Sequence, residues 1–250
     1  MINSKFKILS LTILLTYCTA LVQAGNPDFV FNPTVSFNAI DDEGKETHID
    51  FDLNGGEQNS QAPLEVKFKA GVNPRTWTIK YLRWTITHLK DGVKQDEIMR
   101  DVEDFSLTLS TYGQYQITLE VIFSKEGELD ETCTAGIESP MVINIGNSAL
   151  NFPSAFSPNG DEINDYLKPT KIKSIIKLEG YVINRWGKVL HTFNLQNVQQ
   201  GWDGRVGGNY VKDGAYLLYI NAYGSDGRHY EIKKAINVLK GFKEDNDSTT

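Results

Sequence analysis

The sequence predicts an all-β chain: two antiparallel β-sandwiches in tandem behind a removable N-terminal export segment. Three observations predict it. Apolar runs of five to ten residues recur along the chain, separated by turns rich in Gly, Asp and Asn. No stretch sustains the 3.6-residue period of an amphipathic helix, and Asp96 to Glu103 is expected to form one helical turn at most. The charge changes sign near Gly146-Asn147-Ser148: residues 25–148 hold ten Lys/Arg against twenty-one Asp/Glu, and residues 149–240 hold twelve against eight. That change marks a boundary between two domains, and the small polar residues there fit a short linker.

The export segment comes first in the chain. Lys5 and Lys7 precede a run from Ile8 to Val22 that is almost wholly apolar or small, and Val22-Gln23-Ala24 supplies small residues where a signal peptidase reads them. The run is short of the roughly 20 apolar residues a membrane span needs, and no later stretch approaches that length. Residues 1–24 are therefore read as a signal peptide, and no transmembrane helix is expected in the mature chain. Cleavage after Ala24 takes the formal charge from −7 to −9 and removes Cys18. Cys133 is then the single thiol, read as a small apolar strand residue, because no His or Asn motif accompanies it.

Residues 25–148 give the first sandwich. Strands are expected at Val35–Ile40, His48–Leu53, Leu64–Ala70, Tyr81–Leu89, Phe105–Thr111, Tyr115–Ser124 and Met141–Ile145. Turns are expected at Asp42-Glu43-Gly44, Asn54-Gly55-Gly56, Lys90-Asp91-Gly92 and Lys125-Glu126-Gly127. About seven short strands at this spacing match an immunoglobulin-like sandwich. Trp84 is placed in its core. Tyr115 is the expected corner tyrosine, its hydroxyl bonded back to the preceding loop, and Ile117 stands where antibody domains carry a cysteine.

Residues 149–240 give the second. Strands are expected at Ile175–Asn184, Val189–Phe193, Ala215–Tyr223 and Tyr230–Leu239, with Ser225-Asp226-Gly227 turning the last hairpin. Residues 241–250 form a polar tail.

Composition bounds the function. At 250 residues, 40% hydrophobic and 23% charged, the chain is of ordinary globular make-up. Its negative charge argues against a nucleic-acid partner. Two cysteines exclude a disulfide-dense scaffold and a four-thiolate zinc site. The four histidines stand apart, and there is neither a His-Glu-x-x-His nor a Gly-x-Ser-x-Gly pattern. The acids at Asp41-Asp42-Glu43 and from Asp101 to Asp104 are read as solvated loop acids rather than a glycosidase pair. The chain is accordingly read as a non-enzyme, with a small carbohydrate-active enzyme as the remote alternative.

Three motifs in the second half carry the most specific signal. They are Phe152-Pro153-Ser154-Ala155-Phe156-Ser157-Pro158-Asn159-Gly160-Asp161-Glu162-Ile163-Asn164-Asp165, then Val182-Ile183-Asn184-Arg185-Trp186-Gly187, then Gly201-Trp202-Asp203-Gly204 followed by Asp213-Gly214-Ala215-Tyr216. In this order they resemble the gliding-motility-associated C-terminal domain, the type B sorting signal of type IX secretion in Bacteroidota. The resemblance covers about residues 150–240. It departs at Glu162, where the family usually has Gly. The residues carrying it are Pro158, Asn159, Gly160, Asp161, Asn164, Asp165, Arg185, Trp186, Gly187, Trp202, Asp203, Gly204, Asp213, Gly214 and Tyr216. The first half, through Ala62-Pro63-Leu64-Glu65-Val66-Lys67-Phe68, Trp84 and Tyr112-Gly113-Gln114-Tyr115, resembles the PKD-type immunoglobulin-like modules of bacterial surface proteins. It lacks their usual Trp-x-Phe-Gly-Asp-Gly stretch.

The resemblance implies a route: through the periplasm, onto the type IX machinery, and out to the cell surface or medium. The first half is then the delivered module. Its roles are binding or adhesion to a surface protein or glycan, or spacing; the alternative is a structural part of a surface or gliding assembly. No cofactor is expected, apart from calcium at one place. Asn159, Asp161, Asn164 and Asp165 are an oxygen set that a calcium loop uses, and Asx turns use the same side chains on backbone amides. The EF-hand spacing and its distal Glu are missing, which favours the turns. Arg185 and Trp186 offer either a partner contact or an internal cation–π stack.

Overall fold

A computed structural model describes residues 29–41, 44–52, 54–125, 131–137 and 139–241. Residues 1–24, read above as a signal peptide, lie outside the described residues, as do Asp42, Glu43, Leu53, the Glu126-Gly127 part of an expected turn and residues 242–250. The described chain is strand, turn and loop, with no helix.

Twelve strands build the N-terminal half: β1 (Val30–Phe31), β2 (Thr34–Ile40), β3 (Glu46–Phe51), β4 (Gly56–Ser60), β5 (Leu64–Lys69), β6 (Val72–Asn73), β7 (Thr78–Lys90), β8 (Val93–Arg100), β9 (Asp104–Leu109), β10 (Gly113–Lys125), β11 (Glu131–Gly136) and β12 (Met141–Ile145). One sheet runs β3-β2-β5-β9. The other runs β4-β12-β10-β7-β8, and β11 joins β10 where β12 leaves off. Alternation decides which residues face inward. Val35 and Phe37, Val66 and Phe68 point in from the first sheet. Trp84, Ile86, Ile117, Leu119, Val121 and Phe123 point in from the second, and all of these are buried. Aromatic edges knit the sheets together: the rings of Phe68 and Trp84 meet edge to face at 5.4 Å. Trp84 Nε1 donates to the Glu103 carbonyl at 3.3 Å. Tyr115 forms the expected corner, its hydroxyl donating to the Thr111 carbonyl at 3.1 Å. Cys133 is buried within β11, opposite Phe123.

Three expectations are corrected. The region from Asp96 to Glu103 is not a helical turn. Asp96 to Arg100 belong to β8, which pairs with β7 from Lys90↔Val93 to Trp84↔Arg100, and Asp101 to Glu103 form the bend that follows it. Asp91 and Gly92 both take positive φ, 50° and 78°, so the two-residue Asp-Gly turn folds the chain straight back as a hairpin. β8 is exposed and rich in charge, which suits an edge strand. Second, Gly56 is not merely turn: the polar Gly56–Ser60 forms β4, which side-chain composition gives no reason to expect. Third, the sheets are not purely antiparallel. β4 runs parallel to β12, because the chain switches sheets after β3 and enters beside β12 in its direction of travel.

The C-terminal half contains β13 (Ala149–Asn151), β14 (Ala155–Phe156), β15 (Lys171–Lys173), β16 (Ile175–Ile183), β17 (Val189–Asn194), β18 (Arg205–Val206), β19 (Asn209–Tyr210), β20 (Gly214–Gly224) and β21 (His229–Val238). A five-stranded sheet runs β14-β21-β20-β16-β17, with β14 parallel to β21. One face is buried: Leu178, Val182, Leu218, Ile220, Ala222, Ile236 and Val238. The ribbons β13–β15 and β18–β19 and their loops supply the layer over it, through Phe152, Phe156, Leu167, Val198 and Trp202. The opposite face of the sheet carries exposed and half-buried residues.

The short connection at Gly146-Asn147-Ser148 is bonded along its length. Gly146 donates its amide to the Ser60 carbonyl at 3.1 Å. Ser148 is buried. Its amide donates to Asp226 Oδ2 at 3.1 Å and its hydroxyl to Asp226 Oδ1 at 2.7 Å. Three further bonds cross between the halves: Tyr112 N to Ser225 O at 3.0 Å, Ala62 N to Ser174 Oγ at 3.2 Å, and Ser225 Oγ to Gly146 O at 3.4 Å. Ile176, from β16, packs against the N-terminal core. Gly224 is small for a reason here, since a Cβ on it would lie 2.0 Å from Ser148 Oγ.

Candidate functional site

The first motif is a loop that closes on its own backbone. Asn159 Oδ1 accepts from the Asp161 amide at 3.0 Å, and Asp161 Oδ1 accepts from the Ile163 amide at 2.9 Å. Asp165 accepts from the amides of Gly160 at 2.7 Å and Glu162 at 2.9 Å. Asn164 contributes its carbonyl, which accepts from the Ser157 amide at 2.8 Å. Of the four residues named above as a calcium set, Asn159 and Asp161 make Asx-turn contacts, Asp165 caps two upstream amides, and Asn164 takes part through its backbone. Glu162 sits at φ 68° and Asn164 at φ 54°. Position 162 is thus a left-handed one that glycine occupies at least cost, at the point where the sequence departs from the domain it resembles.

The third motif is buried against the first. Trp202 is inside the core, its indole N–H donating to the Arg205 carbonyl at 2.9 Å, and its backbone pairs with Leu167 in both directions. Its ring lies 5.6 Å from that of Phe156. Asp203 Oδ1 caps the following turn by accepting from the Arg205 amide at 3.0 Å. Gly204 lies beneath Pro158, whose Cγ would be 3.0 Å from an added Cβ. Asp213 holds the end of the last strand: its Oδ1 lies 3.6 Å from Lys240 Nζ. Gly214 opens β20, at φ 140°. Tyr216 donates its hydroxyl to the Lys212 carbonyl at 2.7 Å, the same four-residue back-bond that Tyr115 makes in the other half.

The second motif is different. Asn184-Arg185-Trp186-Gly187-Lys188 forms the tight turn between β16 and β17. Asn184 Oδ1 accepts from the amides of Trp186 and Lys188, each at 3.0 Å, and Gly187 at φ 77° completes the reversal. Arg185 stacks on the Trp186 ring at 5.1 Å, yet Trp186 remains 79% exposed. The structure therefore brings Pro158, Phe156, Trp202 and Gly204 into one packed cluster and leaves Trp186 outside it.

Sequence reading missed the neighbours of that turn. On the open face of the sheet, Val189, Ile183, Leu217 and Ala235 lie in one cross-strand row, with Tyr181, Tyr219 and Lys233 in the next. Tyr181 and Tyr219 stack at 5.0 Å, and Lys233 Nζ lies 5.5 Å from the Tyr219 ring centre. The signal was the alternation of Leu217, Tyr219 and Asn221 with Tyr216, Leu218 and Ile220, which does not by itself say which set faces out.

Elsewhere, a cleft of about 650 Å³ separates the halves, lined by Asp41, Gln61, Asn144, Asn147, Lys171 and Lys173 among others. Asp101 is engaged by Arg83 through two bonds of 2.7 and 2.8 Å, and the guanidinium holds its carboxyl below the usual carboxylate range. Among the described residues no three His, Cys, Asp or Glu gather as metal ligands, and no helix is long and apolar enough to cross a membrane.

Residues 150–238 match the CHU_C type IX secretion signal domain. No curated protein matches the chain. Among solved structures, the chain is similar to a tetra-tandem repeat from the extending region of a large adhesion protein, at 10% identity and a TM-score of 0.24, covering 84% of this chain and 67% of that one. It is similar also to fibronectin(III)-like modules of Clostridium thermocellum CbhA, at 12% identity and a TM-score of 0.22, covering 74% and 89%.

Proposed function

We propose that this is an exported, non-catalytic surface or secreted protein of the Bacteroidota. Residues 149–240 form a type B sorting domain that directs it through type IX secretion, and residues 25–148 form the PKD-like module it delivers. The match of residues 150–238 to the type IX secretion signal domain carries this reading. The placement of the motifs supports it: two of the three pack into one β-body, so the resemblance rests on residues that build the domain. The delivered module acts by binding or adhesion to a surface protein or glycan, or as a spacer. Its role as a structural part of a surface assembly is the second reading, to be separated from the first by whether the purified protein binds cells or polymerises with its own surface layer.

Localisation tests the route. An epitope inserted in the exposed Asp91-Gly92 turn, followed by protease treatment of intact native host cells, reports which side of the outer membrane the first half occupies. Full-length protein is expected to be protease-accessible on wild-type cells and protected in cells lacking the type IX machinery. Access in both strains rules out the route.

A further inference from the structure

Trp186 belongs to neither hydrophobic core. A tryptophan at 79% exposure contributes little to folding, so its place at the tip of a fixed turn calls for another account. The Asn184 side chain and Gly187 hold the turn in one shape, so docking on the indole orders little that is not already ordered. Behind the turn, the exposed Val189 and Leu217 flank Ile183 in one apolar row, and the stacked Tyr181 and Tyr219 follow. Trp, Tyr and Arg are the residues that dominate protein interfaces when they cluster in this way. The charge is one-sided as well. Arg185 and Lys188 pair with no carboxylate among the described residues, and the turn itself holds no acid.

We infer that this turn and the row behind it form the surface on which a protein of the type IX machinery docks, with Trp186 as the anchor. The facing surface is an apolar pocket for the indole, bordered by carboxylates that meet Arg185 and Lys188. The inference rests on the sorting function proposed above and names the part of the domain that performs it. The residues buried in the other two motifs build the body that presents the turn. Complementary charge sets orientation and encounter rate, and the buried ring sets residence.

The test uses the full chain in the native host, with surface exposure of the first half as the readout. Trp186→Ala is expected to lower the surface-exposed fraction on the order of tenfold or more, as loss of an interface anchor does. Trp186→Phe keeps an aromatic anchor and is expected to retain most of the export. The double variant R185E/K188E is expected to lose export while keeping the ring. Purified Trp186→Ala should unfold at the wild-type temperature. Export of Trp186→Ala at the wild-type level overturns the docking surface, and so does a lowered unfolding temperature, because the ring would then serve the fold. The wild-type chain in cells lacking the machinery is the separating control. If it still reaches the surface, the sorting function itself falls; if it is retained while Trp186→Ala is exported, only the docking surface falls.

Discussion

The two halves of the molecule treat the faces of their sheets differently. In the N-terminal half, two sheets enclose one core, and each long strand spends its inward side chains on it: Phe68 meets Trp84 across the gap, and Phe29 stacks on Phe123 at 4.3 Å. In the C-terminal half, one sheet is covered by short ribbons and loops, and its other face remains open, carrying Tyr181, Tyr219, Tyr223 and Leu217. The lesson is that aromatic content alone does not mark a core. Trp84 and Trp202 hold their halves together, whereas Trp186, in the same chain, holds nothing.

The sharpest way to break this comparison is to truncate the three tryptophans in turn. Trp84→Ala and Trp202→Ala are each expected to cost about 3–5 kcal/mol, as buried aromatics do. Trp186→Ala is expected to stay within about 0.5 kcal/mol. Chemical denaturation of the purified mature chain measures all three. A large loss at Trp186 would erase the distinction between core and presented ring.

The joint between the halves comes next. Asp226→Ala leaves the Ser148 hydroxyl and amide and the Arg228 amide without their acceptor, and is expected to cost about 1–3 kcal/mol. In calorimetry it should split one transition into two, because the halves lose a shared fastening. Gly224→Ala, which drives a methyl into Ser148, should do the same. Two transitions already present in the wild type would show that the joint fastens nothing.

Acidity is expected to act more gently, through two groups. Burial lowers the pKa of His191, whose Nε2 has no hydrogen-bond partner among the described residues, below its ordinary 6.5. The unfolded chain therefore takes up that proton first, and stability falls as pH drops through and below about 6.5. His191→Phe should remove that part of the slope. Burial pushes the Asp226 carboxyl up, but hydrogen bonds from Ser148 and from the Arg228 amide, with the Arg228 charge, outweigh it and hold it below 3.8. Its contribution is therefore complete at neutral pH and is lost only as pH falls past that value toward the folded group's own lower pKa. Unfolding midpoints across pH 3–8, with and without each substitution, measure both effects.

The smallest effect concerns the Asn159–Asp165 loop. Its side chains already hold four backbone amides, so equal unfolding temperatures are expected in calcium and in a chelator. A rise of several degrees in calcium would mean that the same oxygens also serve a cation.

Much of the fold was legible because the long strands alternate cleanly and their turns carry Gly. β10 and β16 were found nearly to the residue, and the corner at Tyr115 lay where its spacing put it. β4 was not legible: Gly-Glu-Gln-Asn-Ser has no strand preference and is a strand only because β12 offers its backbone edge. β8 was readable from Asp91-Gly92, but its charged sequence suggested a helical turn. For the candidate site, the motifs were visible as strings while their division of labour was not. Whether an Arg-Trp-Gly turn tucks its ring inward or displays it depends on what packs beside it, and those neighbours are distant in sequence.

The buried joint has a mechanical consequence. Ser148, Ser174 and Ser225 join the two halves through bonds set side by side, so a pulling force divides among them instead of meeting them one at a time. Such a joint resists bending at Gly146-Asn147-Ser148 more than an unbonded linker of the same length would.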